Sequence, residues 1–423
     1  METLIKSLSG HDHLQKLIIN SPQNKNEPLE FYFINYHQNL SNTEINILCE
    51  NLLQEDQTKV LSISHQKDFI NTVALSKFVD RSRCLRRLDV SCCEIRNFGP
   101  IFEALGCENQ AEKNVEAGSL ADSHEQDHHL DDEDKKNLQF LDISGNEISF
   151  EDVKILSQKL KTNKTLLALK LNNCKLKIDS IIRLLEGLNE NNTLESLDLS
   201  RQSRLVENYN LSMHVQKYFS NNTKTLVRLS LRHLNLSDQA IHNIILGLLN
   251  GSNSLQHLDI SNNNLSRDSA NSIVKLLSES SDESPQIKTL NLSNNRIENE
   301  GTIKIFNVLK EKKNQSLKTL IIKSIEASQA AWQVAESVFG PANSENGPNL
   351  SLSELYIWGN DFKGQQGAAS LKNLIDNKRF KSGRTIDVQP YVVDGVTWMA
   401  EDGVSCGVAE GRFHEVVDGE DDY

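Results

Sequence analysis

Apolar residues recur along this chain as a short alternating frame followed by a wider-spaced stripe. From Leu138 the frame reads Leu138-x-x-Leu141-x-Ile143-x-x-Asn146-x-Ile148. It returns at Leu166, Leu194, Leu226, Leu255, Ile287, Leu317 and Leu352, at intervals of 28 to 35 residues. Backwards it is found at Leu85 and, more weakly, near Thr58 and Leu29, with a fragment at Leu14, Leu17 and Ile19. Period-two alternation in each frame predicts a short strand with its leucines turned inward and the intervening residues outward. The stripes that follow (Val153, Leu156, Leu160; Ile181, Leu184, Leu188; Ile241, Ile244, Leu248) have the three-to-four spacing of one helix face. Ser149 and Asp152 form the start signal of such a helix, a capping box. Asn146, Asn263, Asn295 and Asn360 fall where a side-chain amide can satisfy backbone groups in the tight bend after the strand, and Cys93 and Cys174 fill the same slot.

A strand plus a full helix in each repeat predicts an α/β solenoid curved into a horseshoe. Parallel strands line the concave face, and the wider helices pack on the convex face. With Asn or Cys at the turn, these residues resemble the ribonuclease-inhibitor-like subfamily of leucine-rich repeat proteins over roughly residues 29–375. The resemblance implies the fold and a protein-binding role. Relatives range from ribonuclease inhibitor to an activator of the Ran GTPase, tropomodulin's repeat domain and subunits of ciliary axonemes, so it leaves the partner open.

The repeats also set the expected boundaries. Residues 1–28 form an N-terminal cap, 29–375 an array of about 11 repeats, 376–400 a C-terminal cap hairpin, and 401–423 a tail. The interval from Leu85 to Leu138 holds one repeat plus an insert at 108–136, whose Asp131-Asp132-Glu133-Asp134 run and lack of aromatics predict disorder. In the hairpin, Asp394-Gly395 is the turn signal. Val388, Tyr391, Val393 and Trp398 would supply an apolar lid for the last repeat, although a separate binding element remains the alternative. The segment Asp387 to Glu401 is also similar to the C-terminal part of a leucine-rich repeat family linked to cilia.

Charge sharpens this division. The chain of 423 residues carries a net charge of −13. Residues 106–136 and 401–423 are each net −7, which leaves the repeats near neutral. A neutral body lacks the basic stripe that nucleic-acid binding needs. The absence of a long apolar run excludes a membrane-spanning helix, and the polar N-terminus lacks the apolar block of a secretory signal. Seven scattered cysteines without paired knuckles fit reduced thiols in a cytoplasmic protein rather than a disulfide framework or a zinc site. Without a secretory route, Asn163-Lys164-Thr165 is no evidence of glycosylation.

No nucleophile elbow, phosphate loop or dinucleotide fingerprint occurs, so no catalytic residue, cofactor, metal or small-molecule substrate is expected. The one array fit for acid–base chemistry is the middle outward strand position: Asp89, Asp142, Lys170, Asp198, Ser230, Asp259, Asn291, Ile321 and Tyr356. An open concave face would give these carboxylates too little burial to raise a pKa. Protein binding is the better use of that face. Its expected contacts are Arg228, Arg232 and His257 in the middle, with Tyr356 and Trp358 protruding at the end unless the hairpin covers them. The reading is a non-enzymatic scaffold in the cytoplasm, cytoskeleton or cilium. A regulator of a Ran-like GTPase is the alternative.

Overall fold

A computed structural model describes residues 17–20, 29–33, 41–55, 58–65, 71–105, 138–202, 208–222, 225–251, 254–278, 284–310, 314–339, 351–376 and 385–402. The expected acidic insert and residues 403–423 of the expected tail lie outside the described residues, while Glu401, expected to begin the tail, ends a strand instead. The chain divides into two compact units, Met1–Leu194 and Glu195–Tyr423.

In the first unit the strands are β1 (Leu17–Asn20), β2 (Leu29–Phe33), β3 (Thr58–Ser62), β4 (Arg87–Asp89), β5 (Phe140–Asp142) and β6 (Ala168–Lys170). β1 pairs antiparallel with β2, and every later pair is parallel. Helices at Asn42–Glu55, Thr72–Arg81, Gly99–Ala104, Phe150–Thr162 and Ile178–Leu188 return the chain between strands. In-register partners Leu88, Leu141 and Leu169 are fully buried, as the alternating frame requires. The Ser149 hydroxyl accepts from the Asp152 amide at 3.0 Å and donates to its carboxylate at 2.8 Å, which starts helix Phe150–Thr162 at the expected residue.

The second unit repeats the design with β7 (Ser196–Asp198), β8 (Arg228–Ser230), β9 (His257–Asp259), β10 (Thr289–Asn291), β11 (Thr319–Ile321), β12 (Glu354–Tyr356) and β13 (Thr385–Ile386), all parallel. Leu197, Leu229, Leu258, Leu290, Leu320, Leu355 and Ile386 stand in register across these strands, and each side chain is buried. Helices Asn208–Asn222, Asp238–Gly251, Ala270–Ser278, Glu298–Lys310, Gln329–Phe339 and Gln365–Asp376 alternate with them. The parallel sheet therefore runs past residue 375, because Ile386-Asp387-Val388 repeats the in-out-in frame once more.

The turn-slot asparagines join each repeat to the one before it. Asn263 Oδ1 accepts from the amides of Leu234 and Leu236 at 3.0 Å each, while its Nδ2 donates to the carbonyls of Leu231, Ile260 and Ser261. Asn146, Asn295 and Asn360 make the same pattern. Cys93 and Cys174 reproduce the donor half, from Sγ to carbonyls of the preceding and their own repeat. Gln202 fills this slot too, with Nε2 on the carbonyls of Leu199 and Ser200. A second asparagine series closes the helix ends. Asn163, Asn191 and Asn314 each donate to the carbonyl of an earlier helix end or loop and accept from the amide three residues on. The Asn163 amide nitrogen is thus engaged with Leu105, in a site that leaves no room for a glycan.

After β13 comes an antiparallel hairpin, β14 (Val388–Val393) with β15 (Val396–Glu401). Its turn is Asp394-Gly395, both at positive φ, as two-residue hairpin turns require. The hairpin packs on helix Gln365–Asp376, but of the four expected lid residues Val388 alone is buried, and Met399 joins it. Val388 and Met399 are buried, whereas Tyr391, Val393 and Trp398 are 44–48% exposed. The covering contact is confined to the hairpin base because β14 leaves the sheet at Val388 and carries its tip away.

Candidate functional site

The outward positions of the strands are built from backbone needs first. At each strand end the amide two residues past the middle position points away from the next strand's carbonyls. Asp89, Asp142, Asp198, Asp259 and Asn291 accept that amide, from Ser91, Ser144, Ser200, Ser261 and Ser293, at 2.8–3.1 Å. The row that had the residue types for acid–base work is therefore a row of side-chain-closed turns. Where Tyr356 replaces the acid, the next strand compensates. Asp387 takes the amides of Ile357 and Trp358 at 2.7 and 3.2 Å, with Lys323 Nζ at 3.6 Å.

Burial on this face is far greater than an open surface would give. Asp198, Ser230, Asp259 and Asn291 are all buried on the strand face of the second unit. Adjacent parallel strands stand about 4.8 Å apart, so short side chains in one row exclude water from each other. Asp259 is only 3% exposed, and burial pushes its pKa up to about 6. Two hydrogen bonds from Ser261 and the nearby Arg232 charge oppose that rise, while Asp198 adds to it. In the first unit the same face is lined by Phe140, with the Arg87 guanidinium 4.0 Å and the Lys170 ammonium 5.0 Å from its ring centre. Lys170 also lies 3.7 Å from Asp142.

Of the five expected contact residues, three come together. Arg228 and His257 are direct register partners on β8 and β9, and Arg232 follows β8 on the same face. All three are half-buried. The Arg232 Nε atom is buried without a hydrogen-bond partner among the described residues. Tyr356 does not protrude. It is 4% exposed, packed on the strand row, while Trp358 is half-buried and stacks on Phe362 with ring centres 6.0 Å apart. These two stand three strands from His257, about 14 Å away by strand spacing. The expectation of paired anchors fails because Tyr356 occupies the crowded middle row.

The face offers guanidinium, imidazole and hydroxyl donors. The Ser200 and Ser230 hydroxyls bond each other at 2.7 Å. A serine–histidine contact does occur elsewhere, from His242 Nδ1 to Ser272 Oγ at 2.9 Å, where it bridges two neighbouring helices. Burial raises the thiol of Cys49 to about 12, which makes it a poor nucleophile. Among the described residues no helix is long and apolar enough to cross a membrane.

Two family models match, both described as leucine-rich repeats. One covers residues 137–158 and 254–276, and the other 81–99 and 284–306. These segments span strand, turn slot and helix start in both units. The repeats are leucine-rich repeats. Leucine-rich repeat-containing protein 34 of Rattus norvegicus is 38% identical over 88 residues, a match spanning 21% of this chain and 19% of the relative. A solved internalin from Listeria monocytogenes aligns over 78% of this chain and 81% of its own, at 13% identity and a TM-score of 0.34. That likeness is too distant to bear on fold or function. Leucine-rich repeat folds are typically protein-interaction modules, and the α/β repeat described above is of that kind.

Proposed function

We propose that this chain is a non-enzymatic scaffold that holds a protein partner on the strand face of its second unit, around Arg228, Arg232 and His257. The observation that carries this reading is Arg232, a half-buried guanidinium whose Nε donor is desolvated and unbonded. Leaving that donor open costs free energy, and the half-buried side chain that carries it stays accessible to a partner's acceptor. Arginine in such a setting is a preferred interface anchor. Trp358 extends the surface at the C-terminal end. The cilium or axoneme is the cellular setting proposed, supported by the C-terminal resemblance and by the partial match to the rat relative.

Affinity capture from ciliated and deciliated cells, with quantitative mass spectrometry, tests both parts. The partner set captured by the native chain should depend on cilia and be lost from the Arg228→Glu/Arg232→Glu variant at unchanged melting temperature. Identical sets from native and variant chains would remove the strand face as the binding surface. Faster GTP hydrolysis by a Ran-like GTPase on adding purified protein would favour a regulator instead.

A further inference from the structure

A separate surface lies in the first unit, where three successive repeats turn from strand to helix. Arg96, Glu147, Ile148, Ser149, Phe150, Lys175, Lys177 and Ser180 line a groove of about 510 Å³ there. Its lining is unbalanced in charge, with three cations against one anion. The single anion is already committed, since Glu147 lies 2.9 Å from Lys175 and its pKa is held down chiefly by that contact. Arg96 and Lys177 are near enough to lower it further, yet neither makes an ion pair with it. Both are exposed. Lys177 stands at the N-cap of helix Ile178–Leu188, where its donor-only ammonium cannot accept a capping bond. Between these charges Phe150 is 41% exposed, with the Lys154 ammonium 4.8 Å from its ring centre. Lys154 is itself paired with Glu151 at 2.8 Å, so the groove's open charges are Arg96 and Lys177. With the exposed Phe150 ring in the same lining, they are the complement of an acidic chain carrying an apolar side chain.

We infer that this groove is a second docking surface, which takes an acidic peptide segment of a partner protein by charge at Arg96 and Lys177 and by apolar contact at Phe150. The volume falls in the range of formed binding sites. The occupant is extended rather than compact, because the lining residues come from a row of successive repeats instead of a closed cup.

Fluorescence anisotropy tests the inference with the full chain and a short labelled peptide alternating glutamate and leucine. A peptide with glutamine in place of glutamate is the control. Binding should weaken on raising salt and fall on the order of tenfold in Arg96→Glu/Lys177→Glu. It should also weaken in Phe150→Ser, stay unchanged in Arg228→Glu/Arg232→Glu, and be absent for the glutamine peptide. Equal affinity in the native chain and the Arg96→Glu/Lys177→Glu variant would overturn the proposal. So would loss of binding in the Arg228→Glu/Arg232→Glu variant, which would move the peptide to the strand face. Neutralising Asp131, Asp132, Glu133 and Asp134 to their amides supplies the remaining arm. Binding that emerges only after that change would make the chain's own acidic stretch the occupant, against the inference.

Discussion

Asn263 shows how much of this protein rests on single polar side chains. Its amide satisfies two backbone donors of the preceding repeat and three carbonyls in a buried bend. Asn263→Leu keeps the branched shape and the number of side-chain heavy atoms and leaves those groups unpaired, so it should cost about 2–4 kcal/mol, read from denaturant unfolding. A cost near zero would mean that the bend relaxes toward water. The equivalent slot at Leu234 already holds an apolar residue, which makes the comparison direct. Asp259 supplies a pH signature. Its folded pKa is raised to about 6 by burial, so the folded state binds a proton more readily than the unfolded one. The ionised carboxylate therefore penalises folding. The penalty is absent below about pH 4, grows as pH rises through 6, and is constant above. Asp259→Asn removes it. The melting temperature of the variant relative to the native chain should climb between pH 4 and 6 and level off at higher pH. A difference independent of pH would show that the carboxylate is well solvated. The aspartates were visible in the sequence as a periodic row, but their purpose was not. Turn closure depends on which backbone amides the neighbouring strand leaves unpaired.

At the scale of elements, the leucine frame and the helix stripes were legible because burial in a repeat follows directly from periodicity. Leu258→Ala and Leu290→Ala should each cost about 2–5 kcal/mol, since both side chains are fully buried on adjacent strands. A smaller loss in either would mean that the neighbouring leucines close the cavity. The spacing between helices was not legible. Gly187 in helix Ile178–Leu188 lies so close to helix Phe150–Thr162 that an added Cβ would sit 2.3 Å from the Ser157 carbonyl oxygen. In the same contact the Ser157 hydroxyl donates to the Arg183 carbonyl at 2.7 Å. Gly187→Ala gains helix propensity of about 1 kcal/mol but must push two helices apart. A net fall in melting temperature is expected, and a rise would show that the helix pair yields without cost.

At the scale of the whole molecule, the second unit is closed by residues that the repeat count alone places outside it. Ile386 extends the parallel sheet, the fully buried Asp387 ties down the amides after β12, and Val388 with Met399 covers helix Gln365–Asp376. Burial raises the Asp387 pKa against the pull of the two amides and Lys323. Truncation after Gly383 removes all of these and should lower the melting temperature and cause aggregation. Truncation after Asp402 retains them and should do neither. Equal stability of the two shortened chains, measured by melting and size-exclusion chromatography, would reduce the hairpin to an appendage. Its exposed Tyr391, Val392, Val393 and Trp398 would then be its main asset.

The repeat, the alternation of strand and helix, the inward leucines, the asparagine slot and the Asp394-Gly395 turn are all legible in the order of the amino acids. All of these follow from local periodicity and from the few residues that suit a given bend. Tertiary structure alone decided the state of the outward residues. Whether Tyr356 protrudes, Asp259 keeps its ordinary pKa or Arg232 finds a partner depends on neighbours about 30 residues away along the chain, brought within about 5 Å by the sheet. The same holds for the groove at Arg96, Phe150 and Lys177. Its charges are unremarkable in each repeat and become a surface only when three repeats stack.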